Sequence, residues 1–223
     1  VDTLKEMVVL AKGGGLGQKL SDAAIKRGLK ALKNIKLLCE NQGAEEILAY
    51  ATSAIREAEN GGDFIQKSID ELGIKINAIP GRLEAELIGY AVQHGVRMDD
   101  QPVLIADIGG GSVEYIIANR DTFFDLASLK IGVSRMTDRF KPGDPISKQD
   151  EQSLKMHYRE QMSEISTSFK NYDSDVMIGC SGTLQAIGLM IAHRRKKDSS
   201  DIMLNELDFS AEEFRSFYKF FIK

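Results

Sequence analysis

A chain of 223 residues, 43% hydrophobic and 28% charged, has the composition of a folded globular protein that can bury one large core or two small ones. No apolar run approaches the roughly 20 residues that cross a bilayer and no signal peptide opens the sequence, which argues against a membrane protein and makes a cytoplasmic one the expectation. A net charge of −4 argues against a broad nucleic-acid surface, so a polyanionic ligand would have to be held by local features: backbone N–H groups, a few Arg or Lys, a metal.

Leu4 to Ala11 reads as a strand and Lys12 to Gly17 as a loop. From Ser21, a plausible N-cap, Ile25, Leu29, Leu32, Ile35 and Leu38 recur at helical spacing up to Gly43. Ile47–Ala51 is a short strand running into Thr52–Arg56, Asp63–Leu72 a second amphipathic helix closed by Gly73, and Ile74–Ile79 another strand. This alternation is that of an α/β domain. Arg56 follows a strand end, where α/β sheets place their ligand sites, although an exposed arginine at a helix start fits equally well. Pro80-Gly81 leads into a helix over Arg82–Gly95 whose expected buried stripe is Leu87, Ile88, Ala91 and Val92. Glu84 shares that apolar face, so partial desolvation should raise its carboxyl pKa and suit it to general-base work. Glu86 aligns with Tyr90 and Gln93 on the wetter side, and either acid would also complement the helix dipole. The polar connection His94–Gln101 is the expected boundary between domains of residues 1–98 and 99–223.

The centre of the chain is Val103-Leu-Ile-Ala-Asp-Ile-Gly-Gly-Gly-Ser-Val-Glu-Tyr-Ile-Ile117. A strand ends on the lone carboxylate Asp107, Gly109, Gly110, Gly111 and Ser112 form a tight turn, and a second strand follows. Three glycines permit positive φ and let a ligand approach the main chain, and successive N–H groups in such a turn make a concavity for anions, with a hydroxyl added by Ser112. Asp107 and Glu114 flank the turn on opposite strands, where both could hold a hard cation against a bound phosphate. The competing reading is an ordinary glycine-rich hairpin. No Gly-Lys-Ser/Thr follows and the G-x-G-x-x-G spacing is absent, so this is neither a nucleotide P-loop nor a dinucleotide fingerprint. Beyond it, Asp121–Lys130 reads as a strand, Gly132–Phe140 as a helix, Lys141–Pro145 as a loop and Ser147–Lys170 as one long charged helix. Asp175–Gly179 is a strand that feeds Cys180-Ser-Gly-Thr183 and a helix over Leu184–Arg194. Ser181, Gly182 and Thr183 at that helix start make a natural anion seat, or else a plain N-cap. Cys39 and Cys180 lack metal-ligand spacing and read as reduced thiols, Cys180 as a small buried filler. Arg194-Arg-Lys-Lys197 reads as a solvated loop, with a guide rail for a phosphate chain as the less favoured alternative, and Ser210–Phe221 as an aromatic-rich amphipathic helix.

Strand, Asp, glycine hairpin and second strand resemble the second phosphate loop of the actin, heat-shock ATPase and sugar-kinase superfamily. Asp107-Ile-Gly-Gly-Gly-Ser-Val-Glu114 is most similar to the exopolyphosphatase / guanosine pentaphosphate phosphohydrolase family. Ala51-Thr-Ser-Ala-Ile-Arg56 resembles that family's Ala-Thr-Ser-Ala-x-Arg, whose arginine helps to bind phosphate, and Gly179–Thr183 resembles its Gly-x-Ser-Gly-Thr loop. Gly81-Arg-Leu-Glu-Ala-Glu-Leu-Ile88 resembles Gly-x-Glu-Glu-Ala-Arg-Leu-Ile, and the family's catalytic base falls on Glu84. Two departures stand out: Leu83 replaces an acid and Glu86 an arginine, which makes the site less positive.

The four segments occur in the family's order across the whole chain. The resemblance implies two α/β domains of the actin-like ATPase (ribonuclease H-like) type with an interdomain cleft. It also implies truncation at both ends, with no first phosphate loop before Leu4 and a family that continues past Ser210–Lys223. The implied reaction is metal-dependent hydrolysis of terminal phosphoanhydride bonds of inorganic polyphosphate, guanosine pentaphosphate or both. The implied roles are Glu84 as catalytic base, Arg56, Gly109–Ser112 and Ser181–Thr183 on phosphate, and Mg²⁺ or another divalent cation at Asp107 and Glu114. Partners would be the polyphosphate or alarmone ligand, without nucleic acid or membrane, and a homodimer remains open. The alternatives are a non-catalytic sensor of polyphosphate or a guanosine alarmone, kept open by Leu83 and Glu86, and an ATP-dependent kinase of the same superfamily.

Overall fold

The computed structural model describes residues 4–10, 19–172, 174–195 and 207–221. The chain divides into two compact units, Val1–Glu84 and Ala85–Lys223, so the dividing line falls inside a helix, ahead of the 94–101 connection.

The first unit contains helix α1 (Asp22–Asn41), strand β1 (Ala49–Ala51), the single turn α2 (Ser53–Arg56), helix α3 (Gly61–Leu72), strand β2 (Ile76–Ala78) and the start of helix α4 (Gly81–Gly95). β1 and β2 pair in parallel, Tyr50 opposite Asn77, and α3 lies within the crossover that parallel pairing requires. Ser21 caps α1, its Oγ accepting from Ala24 N at 3.2 Å, and Gly73 ends α3 in the left-handed conformation at φ 68°. The core is Ile25 and Leu29 of α1 with Ile55, Phe64, Ile74 and Ile76. α1 and α3 approach closely at Gly28, where an added Cβ would come within 2.7 Å of the Phe64 ring.

The strand expected over Leu4–Ala11 is not formed: residues 4–9 have no regular structure, Leu10 is in a turn and Val9 sits at φ 50°. Arg27 explains this locally, since its Nε and Nη2 donate to Val8 O and Val9 O at 3.1 and 3.2 Å and take carbonyls that a ladder would use. The glycine loop 12–17 lies outside the described residues.

The second unit holds β3 (Val103–Ile108), β4 (Val113–Ala118), β5 (Phe123–Leu129), α5 (Val133–Phe140), α6 (Lys148–Gln161), α7 (Ser163–Lys170), β6 (Met177–Gly179), α8 (Gly182–Arg194) and α9 (Ala211–Phe221). The sheet order is β5-β4-β3-β6, antiparallel through β5, β4 and β3, with β6 parallel to β3. Every residue of β4 is buried, and strand alternation sends its side chains into two cores. Ile105, Ile116 and Ala118 pack with Ala85 and Val92 of α4, whereas Ala106, Val113 and Tyr115 pack with Met136, Ile165 and Leu184.

Two expectations change here. α4 does not bury Leu87 and Ala91: Leu87 is 44% exposed, and the buried positions are Ala85, Gly89 and Val92. The helix approaches through its small residues, because the Phe123 ring lies 2.9 Å from where a Cβ on Gly89 would stand. The long helix opened by Ser147 breaks at Met162, so α6 and α7 are separate. The basic run from Arg194 is described only to Arg195, which caps α8; Lys196 and Lys197 lie outside the described residues.

Candidate active site

β3 and β4 place Ile108 opposite Val113, leaving Gly109, Gly110, Gly111 and Ser112 as the connecting turn. Its three glycine carbonyls all accept hydrogen bonds from the segment that opens α5. Val133 N donates to Gly109 O at 3.0 Å, Arg135 N to Gly110 O at 3.1 Å, and Gly111 O receives both Gly132 N at 3.4 Å and Arg135 Nε at 2.8 Å. Among the described residues the amides of Gly110, Gly111 and Ser112 make no main-chain hydrogen bond, although Gly111 and Ser112 are buried. A turn with its carbonyls tied back and its N–H groups uncommitted is a donor surface for an anion. The glycines are needed for closeness rather than for positive φ: the left-handed glycines of the described residues are Gly43 and Gly73, outside this turn. A Cβ on Gly110 would instead lie 3.2 Å from Ser134 Oγ, and one on Gly109 3.0 Å from Ser112 O.

The Cys180–Thr183 loop sits beside the same turn. β6 runs parallel to β3, Cys180 N donates to Ala106 O at 3.1 Å, and Thr183 Oγ1 lies 3.5 Å from Ile108 O. The structure therefore brings both phosphate-loop candidates to one end of β3. Ser181 is largely occupied as the α8 N-cap, its buried Oγ accepting from Leu184 N at 3.3 Å, while Gly182 and Thr183 form the first turn of the helix. Cys180 is exposed as a residue, contrary to the buried filler expected, yet its Sγ lies 3.5 Å from Ala106 O. Desolvation of the sulfur, then the Asp107 and Glu114 carboxylates, push its pKa up to about 12. A thiol held in its protonated form is a weak nucleophile.

Asp107 and Glu114 are directly opposite each other in the β3–β4 register, so their side chains share a face of the sheet. Glu114 is 2% exposed, and its Oε1 accepts from Ser128 Oγ, on the neighbouring strand, at 2.7 Å. Two hard oxygen donors held this way fit a Mg²⁺ ion, which uses one or two carboxylates and draws its other ligands from water and phosphate. Among the described residues no group of three or more His, Cys, Asp and Glu is placed to form a self-sufficient cage.

In the first unit the structure joins two residues that the sequence offers separately. Arg56 ends α2 just after β1, and Glu84 lies in the first turn of α4 just after β2; because the strands are parallel, both stand at the same edge. Ile79 N donates to Ala51 O at 3.0 Å and Glu84 N to Pro80 O at 3.0 Å, which fixes the turn between them. Arg56 Nη1 then donates to Glu84 Oε2 at 3.0 Å and to Ile79 O at 2.8 Å. The Glu84 side chain is 14% exposed, and the guanidinium supplies the countercharge that a mostly buried carboxylate needs. Leu83 is exposed and Glu86 half-buried, and neither interrupts this pair.

Gly132, Arg135 and Ser128 are the site residues that sequence reasoning missed. The only signal for the first two is the glycine of Ile131-Gly-Val-Ser-Arg135, which opens a helix without any side-chain cap.

A model of the Ppx/GppA phosphatase family matches residues 1–223. Among solved structures, an exopolyphosphatase from Cytophaga hutchinsonii is 30% identical and superposes with a TM-score of 0.90, over 96% of this chain and 69% of that one. The Ppx/GppA family member of Aquifex aeolicus is 22% identical, TM-score 0.72, over 96% of this chain and 67% of that one. An exopolyphosphatase-like protein is 25% identical, TM-score 0.75, over 86% of this chain and 62% of its own. The chain thus spans about two thirds of the length of these relatives. The fold shared with them is α/β, of the actin-like ATPase type.

Proposed function

Because the chain belongs to the Ppx/GppA phosphatase family, we propose that it hydrolyses the terminal phosphoanhydride bond of inorganic polyphosphate, releasing orthophosphate from the chain end. The observation that carries this reading is the glycine turn, whose carbonyls are bound by the 132–135 segment while the amides of Gly110, Gly111 and Ser112 are left to bind a phosphate oxygen. Gly182 and Thr183, at the N-terminus of α8 beside it, add a positive dipole end.

The terminal phosphoryl group rests on these amides and the Ser112 hydroxyl. Glu84 takes a proton from the attacking water, the water oxygen bonds to the terminal phosphorus, and the bridging P–O bond breaks to leave a chain one phosphate shorter. Arg56 holds Glu84 in place through Nη1, and its guanidinium, whose Nη2 also pairs with Glu57 Oε1 at 3.7 Å, can offer a further N–H to a phosphate oxygen. Asp107 and Glu114 would hold the divalent cation, which when bound neutralises negative charge on the phosphoryl oxygens. Guanosine pentaphosphate ends in the same type of bond and is the second substrate we propose. The Arg56–Glu84 pair, kept despite Leu83 and Glu86, favours a hydrolase over a non-catalytic sensor.

Orthophosphate release from polyphosphate and from guanosine pentaphosphate, measured across a Mg²⁺ titration, tests the reading. Wild type should require the cation, and Asp107→Asn should raise the Mg²⁺ needed for half-maximal rate by about tenfold or more. An Asp107→Asn variant with an unchanged Mg²⁺ requirement would remove Asp107 from the cation site. Wild type that releases no phosphate from either substrate would remove the hydrolase reading.

A further inference from the structure

The α1–α3 face of the first unit carries a basic groove that the proposed reaction does not use. Lys26, Lys30 and Lys33 of α1 stand at i, i+4 and i+7, forming one ridge about 10 Å long at helical rise. They line a cavity of about 590 Å³ together with Lys67 of α3. All four lysines are exposed, and among the described residues none makes an ion pair or a side-chain hydrogen bond. Lys36, next along the ridge, behaves differently: its Nζ donates to Leu72 O at 2.7 Å and pairs with Glu40 at 3.5 Å. Asp22 and Glu71 also line the groove, so the lysines remain in excess, in a chain whose net charge is −4.

We propose that this groove binds a run of condensed phosphates, holding a stretch of the chain other than the one being cut. The proposal rests on the reading of the substrate as a phosphate chain. Three features favour such a ligand. The ridge is linear, as an extended polyanion is. Its cations are lysines, compact point charges that make no bidentate fork and so let a repeating chain slide from one register to the next. The cavity lining contains no aromatic side chain among the described residues, whereas single-stranded nucleic acids are gripped by stacking on such rings. Of the three apolar residues in the lining, Ile25 and Leu29 are buried and serve as floor, and Leu72 is half-buried. A second point of attachment raises the effective concentration of the chain end, so long chains should bind more tightly than short ones.

The test compares wild type with Lys26→Gln/Lys30→Gln/Lys33→Gln and with the arginine triple at the same positions. Glutamine keeps helix propensity and much of the stem, and unchanged thermal melting would show that the fold is intact. Binding of end-labelled long-chain polyphosphate is followed by fluorescence anisotropy, with chelator present to stop turnover. The glutamine triple should bind about tenfold more weakly or worse at low salt, with the difference shrinking as salt rises, and the arginine triple should retain binding. Tripolyphosphate, which has no further stretch of chain to offer once its end is bound, should bind all three alike. Guanosine pentaphosphate separates the two sources: a loss confined to the inorganic polymer identifies the polymer, a loss shared with the nucleotide extends the groove to nucleotide-borne phosphates, and either upholds the proposal. Unchanged affinity of the glutamine triple for both overturns it, as does single-stranded DNA that binds more tightly than polyphosphate through the same lysines. Lysine-dependent binding by a wild type that hydrolyses nothing would sink the hydrolase reading and leave the groove standing; normal hydrolysis with lysine-independent binding would do the reverse.

Discussion

Glu84→Gln is expected to lower the rate of phosphate release by about 10²-fold or more, with little change in the apparent KM for polyphosphate. The substitution removes the proton acceptor and little else. Glutamine has the same length, and its amide oxygen can still accept from Arg56 Nη1, which in the wild type lies 3.0 Å from Glu84 Oε2. Its backbone N–H keeps the bond to Pro80 O that starts α4. Substrate phosphates are assigned to other residues, so the loss should fall on kcat rather than KM. Steady-state orthophosphate release checks this, and a loss of less than about threefold would reject Glu84 as the base.

Gly132→Ala should be nearly as damaging, although Gly132 is assigned no contact with substrate. Its Cβ would stand 2.5 Å from Gly110 C, 2.6 Å from Gly110 O and 2.6 Å from Gly111 C. These are main-chain atoms of the turn and cannot rotate aside. Either the turn or the start of α5 must shift, and with it the bonds from Val133 N and Arg135 N that hold the turn's carbonyls back. Overpacking of this kind costs about 1–3 kcal/mol, enough to lower Tm by several degrees. The larger effect is on the re-aimed amides: activity should fall by about 10²-fold, as when preorganised donors are lost at other sites. Gly143→Ala is the control, because its Cβ would meet only Pro145 O, at 3.5 Å. Gly132→Ala with activity within about threefold of wild type would mean that the turn does not position the substrate.

Features set by neighbours along the chain are legible in the amino-acid sequence alone. The Ser21 cap and the Gly73 stop depend on a few adjacent residues, and both form as the sequence suggests. The β3–β4 hairpin is equally local, and its register puts Asp107 opposite Glu114 as its short turn requires. Features decided by distant partners are not legible in this way. Leu4–Ala11 has a strand's apolar pattern, but Arg27 takes the carbonyls of Val8 and Val9. On α4 the ordinary rule that large residues face inward fails, because Phe123 presses the helix at Gly89 and turns Leu87 outward. Arg56 and Glu84 are each plausible functional residues alone, yet a pair separated by 28 positions has no signature in a single sequence. The run of glycines at 109–111 suggests a need for positive φ, when what crowds the turn is the Ser134 side chain beside Gly110 and the carbonyl of Ser112 beside Gly109.

The proposed reaction depends above all on the amides of the glycine turn receiving the phosphate. Backbone amide NMR of the isotope-labelled protein, titrated with tripolyphosphate and Mg²⁺, tests it directly. Gly110, Gly111 and Ser112 should shift most, with Gly182 and Thr183 following. Saturable shifts that leave residues 109–112 unmoved would contradict it.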